Sequence, residues 1–414
     1  MTDPDDLSAR ALLRQRDYLF FLGTRWAGSF TLQIQSVTLG WQMYAVARET
    51  QSVAQSALMV GMIGLATFVP LFFLALPAGE MVDRHNRKRI VLACLAGQAT
   101  SVSLLILATA YDFVSIPVLL ICAAMFGASR AFFNPATQAL GPMLVPRALL
   151  PRALAWSSLA AQTASIAGPA AAGVLLTKSP LFAYAAALLL YGVSALSISM
   201  VRGPTTPVVQ PGSRWTLIKE GLVYVWRSKI VFGAISLDLC AVLLGGATAL
   251  LPAFARDILH VGPDGFGLLR SSPAIGATIM ALMLAVRPLR SHAGLVMLGG
   301  VAVFGLSTIV FGLSRSLWLS MGALIVLGAC DMISVYVRQT LVQLVTPDPM
   351  RGRVSAVSSL FIGASNELGE VESGLIARIL GPVGAALFGG FGAIAITGIW
   401  AKVFPDLRKA DRLI

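Results

Sequence analysis

Nine ionisable residues stand inside otherwise apolar stretches: Arg25, Arg130, Asp238, Arg270, Asp331, Arg338, Glu367, Glu370 and Glu372. A charge in a stretch that crosses a bilayer costs at least about 2.5 kcal/mol, so it points to a substrate path, a gate or a proton relay. Glu367 and Glu370 are carboxylates on neighbouring helical turns, where they repel one another, a setting suited to binding and releasing a proton. Asn366 shares their face, whereas Glu372 points elsewhere. Asp331 and Arg338, seven residues apart, lie on one face, and Arg130, Asn134 and Thr137 form a matching stripe on another helix. Arg25, Ser29, Gln33 and Ser36 fall within an arc of about 80° at 100° per residue. Proton-coupling candidates are therefore Asp238, Asp331, Glu367 and Glu370. Arg25, Gln33, Arg130, Asn134, Arg338 and Asn366 are candidates for a substrate cavity or gate. The alternative is static pairing, Arg130 with Asp331 for example, while Arg25 and Arg270, nearer the ends of their stretches, could snorkel to the surface.

The elements that must position these residues follow from composition. Of 414 residues, 57% are hydrophobic and 12% charged, with a mean hydropathy of +0.79. A soluble chain carries roughly 25% charged residues because its surface faces water. Apolar runs of spanning length recur from end to end. Twelve spans are expected, at 18–46, 55–79, 89–110, 113–140, 153–177, 180–200, 229–254, 262–286, 292–313, 316–343, 354–377 and 380–404. They are read as helices, which satisfy their own backbone hydrogen bonds in lipid. The first run is too long for a cleavable signal, and Met1–Asp17 before it is polar.

The net charge of +12 is explained by topology. If the N-terminus lies in the cytoplasm, the cytoplasmic segments hold 22 of the 31 Lys and Arg. The outer loops hold only Arg48, Lys178, Arg256, Arg315 and Arg378. That asymmetry places both termini in the cytoplasm and argues against nucleic acid as a partner. Cys94, Cys122, Cys240 and Cys330 sit singly in apolar spans, without metal-ligand or disulfide spacing, and read as packing residues.

A polar segment rich in Pro and charge, 203–228, separates an N-terminal half (1–202) from a C-terminal half (229–414), six spans in each. Displaced by 201 positions, 127–174 aligns without a gap on 328–375 with twelve identities, among them Gly127, Gln138, Ser157, Ser158 and Gly168. Arg130 then falls on Asp331. Two parallel six-helix repeats with substrate bound between them near the midplane are a known transporter architecture.

The segment Gly79-Glu-Met-Val-Asp83-Arg84-His-Asn-Arg87-Lys88-Arg89, after the second of twelve spans, resembles the loop motif of the major facilitator superfamily. It departs at Asn86, where Gly is common. Trp41-Gln-Met-Tyr44, Leu76-Pro-Ala-Gly79 and Asn134-Pro135-Ala136 resemble the enterobactin-exporter and macrolide-efflux branch over nearly the whole chain. Gly168-Pro169-Ala-Ala-Ala-Gly173 resembles the Gly-Pro motif of drug and proton antiporters, with Ala172 at a position often Gly. The resemblance implies an all-α membrane protein with twelve helices in two pseudo-symmetric halves, in the bacterial inner membrane. It implies spans 1, 4, 7 and 10 around the cavity and a cytoplasmic latch at Gly79, Asp83, Arg84, Arg87 and Lys88. The basic residues of that motif read alternatively as topology anchors, and the Gly-Pro motif as ordinary helix packing.

The expected function is secondary active export of an amphipathic small molecule, siderophore- or drug-like, by alternating access and proton antiport. The partners are then the bilayer, the small-molecule substrate and protons, with a monomer sufficient and no cofactor. Uptake or facilitated diffusion of a small solute, or a non-transporting receptor on the same scaffold, are the alternatives. None of the six lysines follows a Gly, so no phosphate-binding loop is present. His85, His260 and His292 are not spaced as metal ligands, no nucleophile–base set stands out, and no catalytic residue is assigned.

Overall fold

The computed structural model describes Leu12 and residues 14–206, 214–289 and 291–408. Residues 207–213 of the middle segment, Arg290 and, at the chain ends, Arg10, Lys409 and Arg412 lie outside the described residues. The first half comprises α1 (Arg16–Ala47), α2 (Val53–Arg84), α3 (Arg87–Ala110), α4 (Ile116–Leu140), α5 (Leu150–Leu176) and α6 (Pro180–Ser199). Next come α7 (Arg214–Arg227), α8 (Lys229–Gly245), α9 (Pro263–Val286), α10 (Ala293–Leu313), α11 (Leu317–Val345), α12 (Asp348–Val403) and the short α13 (Pro405–Arg408). Beyond α8, a 3-10 turn (Ala247–Leu250) and a π turn (Phe254–Ile258) carry that span to Ile258.

Among the described residues, ten helical stretches are long and apolar enough to cross a membrane. One of them, Met350–Val403, holds two spans, broken at Gly381. There φ 75°, ψ 168° is a conformation open essentially to Gly, and Pro382 starts the next helix with its ring preset. The twelfth span, α1, is more polar because its polar face points inward. Thr24, Thr31, Gln35 and Thr38 are fully buried along it. Tyr191 Oη donates to Gln35 Oε1 at 2.7 Å and Tyr184 Oη to Gln42 Oε1 at 2.8 Å, while Ser194 Oγ donates to the Thr24 carbonyl at 3.1 Å. These bonds form an antiparallel ladder between α1 and α6. The outer surface is the reverse: Phe73, Leu189, Val286, Trp318 and Ile379 are each more than 70% exposed, as lipid-facing residues would be. The chain is an all-α, multi-pass membrane protein of twelve spanning helices.

Two connections are shaped by helices. Within the polar segment 203–228, α7 forms over Arg214–Arg227. The segment between spans 2 and 3 is barely a loop, since α2 continues through Asp83 to Arg84 and α3 starts at Arg87. Asn86 makes this tight junction possible: its side chain accepts from Arg89 N at 3.2 Å and caps α3.

The chain clusters into two compact units, one of Met1–Gln42 with Ala66–Gly212 and one of Met43–Leu65 with Ser213–Ile414. In the first, Gly127 of α4 lies so close to α2 that a Cβ would run into the Thr67 carbonyl. In the second, Gly328 of α11 meets the Pro273 carbonyl of α9 in the same way. These two positions are identical across the 201-residue repeat, and each lets a pair of helices touch backbone to backbone. The second unit also has apolar clusters joining α8, α10 and α11, around Leu237, Met297 and Val337, and joining α7 to α8, α11 and α12, around Val225, Ile235, Val342 and Val357. An ion pair between Glu220 of α7 and Arg353 of α12 adds to the latter.

Candidate functional site

The most enclosed charges lie in the second unit. Asp238 projects from α8, and Asp331, Ser334 and Arg338 share one face of α11 at spacings of three and four. Asp238 is 5% exposed and Arg338 1%. Ser334 Oγ donates to Asp238 Oδ1 at 2.9 Å, and Arg338 Nε stands 3.3 Å from Asp238 Oδ2. That approach is an ion contact without hydrogen-bond alignment. Arg338 Nη1 donates to Ser358 Oγ of α12 at 2.8 Å. Asp238 and Asp331 both line a small cavity of about 10 Å³ with Val301, Phe304 and Ser334, close to the room a single water needs. Asp331 lies in the field of both Asp238 and Arg338. One guanidinium thus pairs with Asp238, with Asp331 on the same helix face and within its field. The pairing of Arg338 with Asp238 went unrecognised in the sequence, which showed only that Arg338 and Asp331 share a face.

A second cluster lies on α9 and α12. Arg270 Nη2 is 4.0 Å from Glu370 Oε1, and Glu367 also acts on Arg270. Gly64 of α2 packs on this part of α12: a Cβ there would stand 2.7 Å from the Glu367 carbonyl and 3.0 Å from Glu370 Cβ. Asn366 is exposed, apart from the two half-buried glutamates. Ser373 Oγ donates to Glu372 Oε2 at 3.4 Å, on a different side of the helix.

In the first unit Arg25 is also drawn inward. Its Nε donates to Ser157 Oγ of α5 at 3.3 Å and its Nη1 to Thr137 Oγ1 of α4 at 3.2 Å. The stripe of Arg25, Ser29, Gln33 and Ser36 is half-buried throughout. Gly168 seats α5 against Gln33, where a Cβ would come within 2.7 Å of Gln33 Cβ. Pro169 and Gly173 are buried beside it. Arg130 lies over the Phe126 ring at 5.5 Å, one turn away on α4, and acts on Tyr191. Asn134 is half-buried, its carbonyl accepting from Thr137 Oγ1 at 3.1 Å.

The motif between α2 and α3 closes helix ends. Gly79 is buried in α2, and Asp83 is half-buried in its last turn. Arg84 pairs with Glu80 at 2.8 Å on the exposed side. Arg87 Nη1 donates to the Ala139 carbonyl at the end of α4 at 2.8 Å. Lys88 Nζ reaches the Ser199 and Val201 carbonyls, both at 2.7 Å, at the end of α6. Helix C-termini leave such carbonyls without partners and carry partial negative charge. Arg87 and Lys88 are thus structural caps whatever else they do.

Residues 8–412 match the family model described as transmembrane secretion effector. The chain belongs to this family of major facilitator transporters. The transporter is 27% identical over 376 residues to the multidrug efflux pump Tap of Mycobacterium tuberculosis, covering 86% of this chain and 87% of that protein. It is 25% identical over 379 residues to the enterobactin exporter EntS of Citrobacter koseri, covering 91% and 90%. Macrolide efflux protein A of Streptococcus pyogenes is 25% identical over 398 residues, with 94% and 96% covered. Among solved structures, the POT family transporter PepTSo superposes with a TM-score of 0.75 at 11% identity, over 95% of this chain and 98% of that one. A D-xylose–proton symporter gives 0.71 at 12% identity, over 95% and 98%. At these identities the structures speak for the fold alone.

The transporter also holds a cluster that sequence reasoning missed. Tyr44 Oη donates to Asp257 Oδ2 at 2.5 Å, and Arg48 Nη2 stands 3.3 Å from Asp257 Oδ1. The carboxylate beside Arg48, which lies just past the end of α1, pushes that guanidinium further above its ordinary value. Asp257 lies in the π turn, a rare element that often marks functional positions but has no sequence signature of its own. Ser157 and Ser358, the hydroxyl partners of Arg25 and Arg338, were legible as repeat identities without a role.

Proposed function

We propose that this transporter exports an amphipathic small molecule, siderophore- or drug-like, across the bacterial inner membrane by alternating access, in exchange for protons. The Lys and Arg distribution supports the placement of both termini in the cytoplasm. The efflux relatives support the direction of transport. The observation that carries the coupling is the Asp238–Asp331–Arg338 cluster. With both carboxylates ionised it has a net negative charge in an enclosed place, and one bound proton makes it neutral. Intramembrane carboxylates of this kind mark proton relays. Asp331 is the proton carrier in this reading, with Asp238 held by Arg338 and Ser334. Glu367 and Glu370 with Arg270 form the second candidate proton site. Gln33, Arg130, Asn134 and Asn366 line the substrate path or gate. The motif from Gly79 to Lys88 serves as the cytoplasmic latch, with Asp83 as its switching group. Gly168, Pro169 and Gly173 permit α5 to pack closely and bend, and a monomer suffices.

The test is uptake of siderophores and macrolides into inside-out vesicles under an imposed pH gradient. Wild type accumulates substrate only with the gradient. Asp331→Asn, neutral at every pH, removes the gradient dependence, whereas Glu370→Gln retains it. Loss in Glu370→Gln alone moves the proton to α12. Accumulation in wild type that ignores the gradient overturns antiport in favour of facilitated diffusion.

A further inference from the structure

Each unit holds a pocket between the corresponding pair of helices, α4 and α5 in one and α11 and α12 in the other. In the first unit, a cavity of about 360 Å³ lies between α1, the end of α4 and the start of α5, lined by Arg25, Thr137, Gln138, Ser157 and Ser158. In the second, one of about 520 Å³ lies between the end of α11 and the start of α12, lined by Arg338, Gln339, Ser358 and Ser359. Displaced by 201 positions, Thr137 falls on Arg338, Gln138 on Gln339, and Ser157-Ser158 on Ser358-Ser359. Both pockets present a guanidinium to the first serine of the pair. The arginines come from different elements, α1 in one and α11 in the other. The hydroxyl and amide framework is therefore repeated, and the cation is supplied independently.

The two pockets differ in charge. Arg338 stands against Asp238, so its charge is balanced. Arg25 has hydroxyl partners only: among the described residues no carboxylate pairs with it. Among the described residues, both protons on its Nη2 and one on Nη1 have no protein partner. A guanidinium fork with spare donors recognises planar oxyanions and forms charge-assisted bonds to them. The remaining wall, from Tyr18, Phe21, Leu150 and Leu154, is largely apolar and suits the body of an amphiphile.

We propose that the Arg25 pocket binds the oxyanion group, carboxylate or phosphate-type, of an amphipathic ligand, with Ser157, Ser158 and Gln138 around it. Taking that ligand as cargo rests on the export reading above; the binding itself does not. The experiment uses the purified full-length chain in phosphatidylcholine nanodiscs, with 1-pyrenebutyric acid and its methyl ester as matched probes. Wild type prefers the acid. Arg25→Gln weakens the acid by roughly tenfold or more, the scale of a lost charge-assisted bond, and leaves the ester unchanged. Arg25→Lys restores part of the acid binding. Gln138→Glu, at an exposed position that keeps Arg25 in place, blocks the acid by supplying a competing carboxylate. Acid affinity that survives both Arg25→Gln and Gln138→Glu overturns the proposal, as does a parallel loss of acid and ester.

Adding phosphatidylglycerol to the nanodiscs separates the sources of the oxyanion. Displacement of the acid in wild type assigns the pocket to a lipid headgroup, and unchanged affinity assigns it to a diffusing ligand. No gradient or flux enters this measurement. Failed vesicle transport with acid-selective binding removes the export reading and leaves the pocket, and transport with no acid preference does the reverse.

Discussion

At the scale of single residues, the buried polar groups decide more than the charges alone suggest. Gln35 and Tyr191 are both enclosed, and the 2.7 Å bond between them is the sole partner of Gln35 Oε1 among the described residues, while Gln35 Nε2 has none. Tyr191→Phe leaves that oxygen unsatisfied and is expected to cost about 1–3 kcal/mol, seen as a lower thermal midpoint in detergent. Tyr111→Phe, at a side chain 75% exposed, leaves the midpoint unchanged. An equal drop in both variants would show that the ladder between α1 and α6 contributes nothing specific. The same logic separates the arginines. Arg25 and Arg338 are each held by hydroxyls or a carboxylate from another helix, while Arg270 stands 4.0 Å from Glu370.

At the scale of elements, close helix contacts set where the charged faces point. Gly328 brings α11 against the backbone of α9, and from there Asp331, Ser334 and Arg338 follow at helical spacing toward Asp238. Gly328→Ala forces the two helices apart and is expected to destabilise by about 1–3 kcal/mol, the usual cost of overpacking. Gly322→Ala on the same helix meets nothing within 4 Å and is expected to leave stability unchanged or slightly raised. Comparable thermal midpoints for the two variants would deny the close approach. The repeat carries this device to Gly127 and α2, and those two glycines are among the twelve identities.

At the scale of the whole molecule, orientation in the membrane is the property most directly open to test. The positive-inside distribution predicts that Lys178→Cys is labelled by an impermeant maleimide on intact cells, and that Arg89→Cys is labelled only after permeabilisation. Cys94, Cys122 and Cys330 are buried and Cys240 is half-buried, so both variants are made in a Cys240→Ala background. The opposite pattern would invert the topology and with it the direction of export. Span number, the two-fold repeat and the short list of intramembrane charges were determined by the sequence alone. Each rests on a periodicity or on the rarity of charge in lipid, and both are written along the chain. What only the tertiary structure decided is pairing. Arg338 takes Asp238 and Ser358, while Arg25 takes Thr137 and Ser157. Partners on different helices share no sequence period, so a face can be inferred from spacing, but the neighbour that meets it depends on which backbones pack together.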